Sequence, residues 1–177
     1  MTTSTGSVPS AVLTVVSGRP GTGKTTLAKE LARSRRSCYL RVDAAETALA
    51  RTGLSVGVEG YAVIHELAIS NLLLGIDVVV DAVNPVPEAR AGWREAAGRG
   101  RARLLQVETW LPDADEHRRR VEARTADIPG QQVPSWDEVV RQQWVPWDEK
   151  RDGHRTLIPT ADSLPALAAV LALVTPS

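Results

Sequence analysis

The chain of 177 residues is poor in several features that mark other classes of protein. Its single cysteine, Cys38, excludes an internal disulfide, so we expect a reducing, cytoplasmic setting. No apolar run is long enough to cross a bilayer, so no membrane partner is expected. The formal net charge is zero and no long basic tract occurs, which argues against a nucleic-acid partner. Residues 1–10 are rich in Ser and Thr without a basic start, and we expect a disordered tail there rather than a signal peptide.

Apolar runs typical of strands alternate along the chain with helical patterns. Strands are predicted at 11–16, 38–42, 76–80, 102–110 and 156–158. Helices are predicted at 25–33, 44–51, 59–74, 87–98, 113–124, 135–143 and 163–174. This alternation predicts an α/β fold, with a parallel sheet covered by helices on both faces. The length fits a single domain over residues 11–177.

A glycine-rich loop follows the first predicted strand and precedes the first predicted helix. Residues 18–25 read Gly-Arg-Pro-Gly-Thr-Gly-Lys-Thr, which is typical of a phosphate-binding loop. Glycines let backbone N–H groups converge on phosphate oxygens, and the helix N-terminus favours negative charge. The Lys24 ammonium is expected to reach the β- and γ-phosphates, and the Thr25 hydroxyl to bind Mg²⁺. The expected nucleotide contacts are Gly18, Pro20, Gly21, Thr22, Gly23, Lys24, Thr25 and Thr26, with Arg120 and Arg124 from further along the chain.

Two acidic residues follow the second and third strands, where a parallel sheet binds its ligands. Asp43 is predicted to accept the proton of an attacking hydroxyl, or else to cap the helix expected from Ala44. Asp81 follows a β-branched run, which is typical of a carboxylate that holds a Mg²⁺-bound water. Arg41 is either a partner of a phosphate group or a plain strand residue.

Three further polar residues have both a binding and a structural interpretation. The Asn84 amide could bind an acceptor substrate, or it could make a turn before Pro85. His65 lies on a helix near the expected acceptor pocket, and it is either a substrate contact or a structural histidine. Arg120 and Arg124 are four residues apart, so one helix face would present both as a phosphate clamp or as a solvated basic surface.

The segment around residues 113–150 is predicted to form a lid. Its second half is rich in Pro, Gly and Trp, and long irregular segments in compact domains are often lids. Trp136, Trp144 and Trp147 either stack on a planar ring of a ligand or hold this segment against the core.

Taken together, these motifs resemble those of small P-loop kinases of the adenylate-kinase-like group. The similar branch is the AAA-like ATPase/kinase group that includes polynucleotide 5′-hydroxyl kinases, zeta-toxin-like kinases, gluconate-type kinases and chloramphenicol phosphotransferase. The similarity lies in the glycine loop, Val42-Asp43, Asp81-Ala82-Val83-Asn84 with Arg90 beyond it, and Arg120-x-x-x-Arg124. Val83 stands where Thr is commoner in that branch, which argues most strongly against polynucleotide ends as the acceptor.

The resemblance implies a three-layer fold, a five-stranded sheet in the order 2-3-1-4-5 and an arginine-bearing lid. It also implies phosphoryl transfer from ATP with Mg²⁺. By resemblance, Asp43 is the base, while Lys24, Arg120 and Arg124 stabilise charge. Asp81, Asn84 and Arg90 would organise the metal or the acceptor.

The function expected from the sequence is transfer of the γ-phosphoryl group of ATP to a hydroxyl of a small molecule. An antibiotic, a sugar and a nucleoside-like molecule all remain open as acceptors. A polynucleotide 5′-hydroxyl kinase is the first alternative. A regulatory switch that hydrolyses nucleotide and binds a protein partner is the second, and the absence of an Asn-Lys-x-Asp signature disfavours GTP as its nucleotide.

Overall fold

A computed structural model describes residues 11–175, and the predicted disordered tail at 1–10 lies outside the described residues. The strands are β1 (Val12–Gly18), β2 (Cys38–Arg41), β3 (Val78–Asp81), β4 (Arg103–Trp110) and β5 (Thr156–Pro159). The helices are α1 (Lys24–Arg35), α2 (Val42–Arg51), α3 (Glu59–Leu73), α4 (Pro87–Arg99), α5 (Ala114–Glu122), α6 (Trp136–Arg141), α7 (Glu149–Asp152) and α8 (Ser163–Val174). Across residues 11–175, no helix combines the length and the apolar character that crossing a membrane requires.

The five strands form one parallel sheet in the order β2-β3-β1-β4-β5. This confirms the predicted α/β class and strand order. Asp81 at the end of β3 pairs in register with Val16 of β1 and Arg41 of β2, and Gly18 pairs with Thr109 of β4. The carboxyl ends of the strands therefore bring the glycine loop and the acidic strand ends to one edge of the sheet, where such folds bind ligands.

Alternating side chains of the central strands fill two cores, one on each face of the sheet. Leu13 and Val15 of β1 pack with residues of α3 and α4. Val12 and Val16, on the opposite face of the same strand, pack with residues of α1 and α8. Every residue of β1 and β3 is buried, as expected for strands covered on both sides. The two cores support the sheet from both faces, below the edge at which such folds bind ligands.

Several element boundaries differ from the predicted ones. α2 begins at Val42, two residues earlier than predicted, and α5 ends at Glu122, two residues earlier. α7 was not predicted, and it consists of four residues whose first turn is capped by the Asp148 carboxylate. That carboxylate accepts hydrogen bonds from the amides of Lys150 and Arg151. A local cap explains this short helix better than hydrophobic periodicity, which needs more than one turn to be visible.

Residues 113–150, here named the lid segment, lie against the glycine loop. His117 Nε2 lies 2.7 Å from the carbonyl oxygen of Pro20, and the Arg19 guanidinium donates to the carbonyl oxygen of Val139 at 3.0 Å. Arg19 also lies over the ring of Trp144, 4.9 Å from its centroid. The lid segment thus covers one side of the loop through contacts from both α5 and the stretch around α6.

All three tryptophans of the lid segment contact protein groups. Trp136 packs edge-to-face on His117, and Trp144 lies under Arg19. Trp147 donates from its indole N–H to the carbonyl oxygen of Gly153 at 2.7 Å. The contacts of Trp144 and Trp147 favour the interpretation in which tryptophans hold the segment against the rest of the protein, while Trp136 packs within the segment.

Candidate active site

Three glycines give the loop between β1 and α1 its shape. Gly21 and Gly23 have φ values of 85° and 82°, which residues with a Cβ adopt only with strain. At Gly18 a Cβ would lie 2.3 Å from the Thr109 hydroxyl oxygen, so only glycine permits this approach of β4. The Thr22 hydroxyl lies 2.7 Å from that of Thr109 and also donates to the carbonyl oxygen of Arg19. Thr109, which sequence analysis missed, therefore holds the loop from the end of β4.

Lys24 is the first residue of α1 and only 3 % exposed. Burial lowers the pKa of its ammonium, while the nearby carboxylates of Asp81 and Asp43 oppose that shift. Among the residues described, no carboxylate lies within salt-bridge distance of this ammonium. A buried cation without an ion-pair partner has its donors available for the oxygens of a phosphate group. Thr25 follows it in the first turn of α1, half-buried.

Asp43 lies in the first turn of α2, and its carboxylate is 21 % exposed. Its Oδ2 accepts from the Arg41 guanidinium at 3.0 Å and from the Gln131 amide at 2.9 Å. Arg124 Nη2 lies 3.9 Å from the same oxygen. The residue preceding the helix is Arg41, and no side-chain cap is formed there, so the structure does not support the capping interpretation. Asp43 is held instead by cationic and amide groups on the ligand-binding side of the sheet.

Asp81 is 1 % exposed at the end of β3. It accepts a hydrogen bond from the Tyr39 hydroxyl at 3.0 Å, and the Nε of Arg41 lies 3.5 Å from the same Oδ2. Burial and the adjacent Asp81 carboxylate raise the pKa of Tyr39, which keeps the phenol a hydrogen-bond donor. The pairing of Asp81 with Val16 places this carboxylate next to the strand that leads into the glycine loop.

The residues beside the loop fit a Mg²⁺ ion that is bound together with nucleotide phosphates. Mg²⁺ binds hard oxygen ligands and usually combines one or two protein groups with phosphate oxygens and water. Thr25 offers a hydroxyl and Asp81 a carboxylate, both of the required chemistry. Over residues 11–175, no three His, Cys, Asp or Glu side chains form a cluster able to hold a metal, so the phosphates would have to supply part of the coordination.

Arg41 is buried and contacts three carboxylates. Its contacts with Asp43 and Asp81 are described above. In addition, its Nη1 donates to both carboxylate oxygens of Asp127 in the lid segment, at 2.8 and 2.9 Å. Partial burial acts to raise the pKa of Asp127, but hydrogen bonds from Lys29 and Arg41 hold this pKa at about 2. The interpretation of Arg41 as a plain strand residue is therefore not supported. In this structure the guanidinium joins the strand ends to the lid segment.

Arg120 and Arg124 do not share a helix face, contrary to expectation. α5 ends at Glu122, so Arg124 lies beyond the helix, on the side of Asp43. Arg120 points the other way and donates to the carbonyl oxygens of Thr160 and Ala161 at 3.0 and 3.1 Å. These two carbonyls follow β5, and with Gly23 and Thr26 they line a cavity of about 190 Å³. The arginines thus border two different parts of the site.

Asn84 and Arg90 face the protein interior. The Asn84 side chain accepts from the Trp93 indole at 2.8 Å, and its backbone N–H donates to the Tyr61 hydroxyl. Arg90 is 1 % exposed and donates to Asp152 at 2.9 Å and to the carbonyl oxygen of Val145 at 2.6 Å. Neither side chain lines the two cavities around Asp43. In this conformation both support the scaffold, in contrast to the acceptor contact that the resemblance implied.

His65 packs against the protein interior and also lines a cavity, so its position is compatible with both a structural role and a substrate contact. Its ring packs edge-on against Trp93, with centroids 4.2 Å apart, and it lies over Gly92, where a Cβ would be 2.3 Å from the ring. Burial lowers the pKa of the imidazole, so the neutral form is favoured. The ring also lines a cavity beside Asp43.

Two adjoining cavities meet at Asp43. The first, of about 370 Å³, lies on the side of the glycine loop and is lined by Pro20, Lys24, Arg124 and Gln131 among others. The second, of about 490 Å³, lies between α2, α3 and α4, and apolar side chains make up much of its wall. Four residues line both, namely Asp43, Glu46, Val83 and Gln142. The Asp43 carboxylate therefore stands between a cavity that Lys24 and Arg124 line and a largely apolar one.

Comparison with known families identifies this architecture. The AAA domain family AAA_33 matches residues 13–143, which include the glycine loop, both strand-end carboxylates and most of the lid segment. The chain belongs to this family. No curated protein sequence matches the chain with significance.

Solved structures of kinases share the fold of this AAA domain. A proposed kinase from Chloroflexus aurantiacus matches with a TM-score of 0.72 at 20 % identity, over 92 % of this chain and 98 % of that one. A gluconokinase from Sinorhizobium meliloti matches with a TM-score of 0.59 at 17 % identity, over 94 % and 97 %. An APS kinase from Mycobacterium tuberculosis, solved with AMPPNP and APS, matches with a TM-score of 0.65 at 18 % identity, over 94 % and 99 %. The fold is that of P-loop kinases of the adenylate-kinase-like type.

Proposed function

We propose that the protein transfers the γ-phosphoryl group of ATP to a hydroxyl of a small-molecule acceptor. The observation that carries this proposal is the position of Asp43 between two adjoining cavities. Lys24 and Arg124 line one of them, as phosphate groups require, and the other is large enough for a compact organic molecule. A carboxylate at such a junction is placed to contact the hydroxyl that attacks the γ-phosphorus.

The proposed reaction needs no covalent intermediate on the protein. The acceptor oxygen attacks the γ-phosphorus and forms a new P–O bond, while the bond to the bridging oxygen of ADP breaks and its electron pair leaves with ADP. The hydroxyl proton passes to the Asp43 carboxylate. Lys24 and Arg124 stabilise the negative charge spread over the phosphoryl oxygens. Bound Mg²⁺, held through Thr25 and Asp81, would neutralise further charge on the phosphates.

The contacts of Asp43 account for the orientation of its carboxylate. Arg41 and Gln131 both donate to Oδ2, which leaves Oδ1 as the oxygen with capacity for a substrate hydroxyl. Gln131 belongs to the lid segment, so the position of that segment and the orientation of the base are linked. We assign Arg120, which lines the cavity beside Gly23 and Thr26, to the nucleoside end of ATP rather than to the transferred phosphoryl group.

A screen of acceptors tests the proposal. The purified protein is incubated with ATP and Mg²⁺ and with antibiotics, sugars, nucleosides and 5′-hydroxyl oligonucleotides, and products are analysed by mass spectrometry. We expect a small molecule to gain one phosphoryl group, and the Lys24→Ala variant to form no such product. Phosphorylation of oligonucleotides alone would contradict the small-molecule assignment. ATP hydrolysis without any modified acceptor, together with a stable protein complex, would favour the regulatory switch instead.

A further inference from the structure

The cavity between α2, α3 and α4, here named the acceptor cavity, has an uneven charge distribution. Besides Tyr61, its ionisable lining residues are Asp43, Glu46, His65 and Glu88. None of its lining residues is Lys or Arg. The rest of the wall is mainly apolar, from Val42, Val58, Tyr61, Ala62, Val83, Pro85, Val86 and Ala89. The acceptor cavity therefore offers apolar contact area and negative charge.

The acidic lining groups come from two helices, α2 and α4. Glu46 follows Asp43 on α2 by three residues, so both project from one face of the helix. Its side chain packs on Gly60 of α3, where a Cβ would come within 2.4 Å of the Glu46 Cγ. Glu88 lies exposed in the first turn of α4. Partial burial and, as a smaller cause, the neighbouring Asp43 carboxylate raise the pKa of Glu46.

The cations of the site lie on the other side of Asp43. Lys24 and Arg124 line the adjoining cavity, where the phosphates of ATP would occupy them in the proposed reaction. Arg41 is engaged by three carboxylates. His65 does not supply a positive charge, because its burial favours the neutral imidazole. An acceptor that carried phosphate, sulfate or carboxylate would thus face carboxylates without a compensating cation.

We infer, on the basis of the proposed function, that the acceptor is an amphiphilic alcohol without negative charge, whose apolar body fills the acceptor cavity. Glu46 and Glu88 are the specificity residues: they repel anionic alcohols and favour an acceptor that carries an amine. Two of the polar residues that line both cavities, Asp43 and Gln142, orient the hydroxyl. This class excludes sugar acids and nucleotides, and it retains neutral and aminated alcohols.

Three probes with one carbon skeleton test the charge preference. Phenylalaninol is cationic, 3-phenylpropane-1,2-diol is neutral and 3-phenyllactate is anionic at pH 7.5. Their dissociation constants are measured by ligand-observed NMR titration of the full chain, with AMPPNP and Mg²⁺ present. Each carboxylate within contact distance is expected to change the affinity of a charged probe about fivefold in a water-exposed cavity. We expect phenyllactate to bind at least about fivefold more weakly than the diol, and phenylalaninol to bind more tightly than the diol.

Two variants and one control locate the effect. In the Glu46→Gln/Glu88→Gln double variant the difference between phenyllactate and phenylalaninol is expected to shrink by about tenfold or more, because two charges are removed. Glu149→Gln also removes an exposed carboxylate, but outside the acceptor cavity, and it should leave the three constants unchanged. Ala62→Trp fills the acceptor cavity from an exposed position and should abolish binding of the neutral and cationic probes.

The outcomes separate this inference from the proposed function. Equal or tighter binding of phenyllactate overturns the inference, as does binding that survives Ala62→Trp or the failure of all three probes to bind. None of these readouts depends on phosphoryl transfer. A charge preference as described, in a protein that transfers no phosphoryl group to any alcohol, contradicts the proposed function alone. Transfer to an anionic acceptor contradicts the inference alone.

Discussion

Replacement of Arg90 by alanine is expected to destabilise the fold strongly. The Arg90 and Asp152 side chains are both 1 % exposed, and the guanidinium lies 2.9 Å from the carboxylate. Arg90 also donates to the carbonyl oxygens of Asn84, Pro85 and Val145, which joins α4 to the end of the lid segment and to α7. Arg90→Ala removes one partner of a buried pair and the donor to these three carbonyl oxygens, so although Arg151 still donates to Asp152 we expect a loss of about 3–5 kcal/mol.

Thermal and urea unfolding measure this loss. For a chain of this size about 1 kcal/mol lowers Tm by about 2–4 °C, so the expected decrease is roughly 6–20 °C. Arg99→Ala is the matched control on the same helix, because Arg99 pairs with Glu66 and Glu95 at the surface and should contribute at most about 1 kcal/mol. If Arg90→Ala were as stable as Arg99→Ala and lost acceptor binding instead, Arg90 would be a substrate residue and the structural assignment would be refuted.

The same pair predicts an acid dependence of stability. A hydrogen bond from Arg151, together with Arg90, holds the pKa of Asp152 below its ordinary value of 3.8. The folded-state pKa is lower than the unfolded one, so this carboxylate stabilises the fold fully above about pH 4 and less as the pH falls further. The difference in unfolding free energy between the wild type and Asp152→Asn should therefore be largest near neutral pH and shrink below pH 4. A difference that grew on acidification would contradict the assigned ion pair.

Two further variants, Gly21→Ala with Gly75→Ala as its control and Asp127→Asn, probe the glycine loop and the lid contact. Gly21→Ala places a Cβ 2.5 Å from Val121 in addition to the strain of a φ of 85°, so it should lower Tm and weaken ATP binding. Gly75→Ala has a similar φ with open space around it, and it should lose about 1–2 kcal/mol of stability without any change in ATP affinity. Asp127→Asn removes a carboxylate that is 43 % exposed, so the loss at pH 7 should stay below about 1 kcal/mol despite its contact with Arg41. Because the folded-state pKa of Asp127 is about 2 against 3.8, that loss should vanish as the pH falls from 4 towards 2 in urea-unfolding curves.

The strands of the sheet were predictable from the sequence because the residues of each strand form a local apolar pattern. β3 begins with three valines, and β1 leads directly into the glycine loop, so pattern and motif agree. The order of the strands came from the resemblance, and the structure confirms it. Because the strands are parallel, the glycine loop and Asp81 must then lie at the same edge of the sheet.

Contacts between distant parts of the chain were not predictable in the same way. Thr109 and His117 hold the loop from positions about ninety residues away, and neither belongs to a recognisable motif. Arg124 was expected on the helix face of Arg120, because periodicity does not show where α5 ends. Arg90 matches a motif of the resembling branch, yet its buried ion pair with Asp152 depends on α7, which no pattern indicated.

In the proposed reaction Asp43 takes the proton from the acceptor hydroxyl during phosphoryl transfer from ATP. The most direct test is the turnover number of Asp43→Asn with the acceptor found in the screen, beside its affinity for ATP. Loss of a general base should lower kcat by roughly two to four orders of magnitude, with ATP affinity nearly unchanged. Gln131→Ala removes only a donor to the same carboxylate, so we expect a smaller decrease. Unchanged turnover in Asp43→Asn would contradict the account.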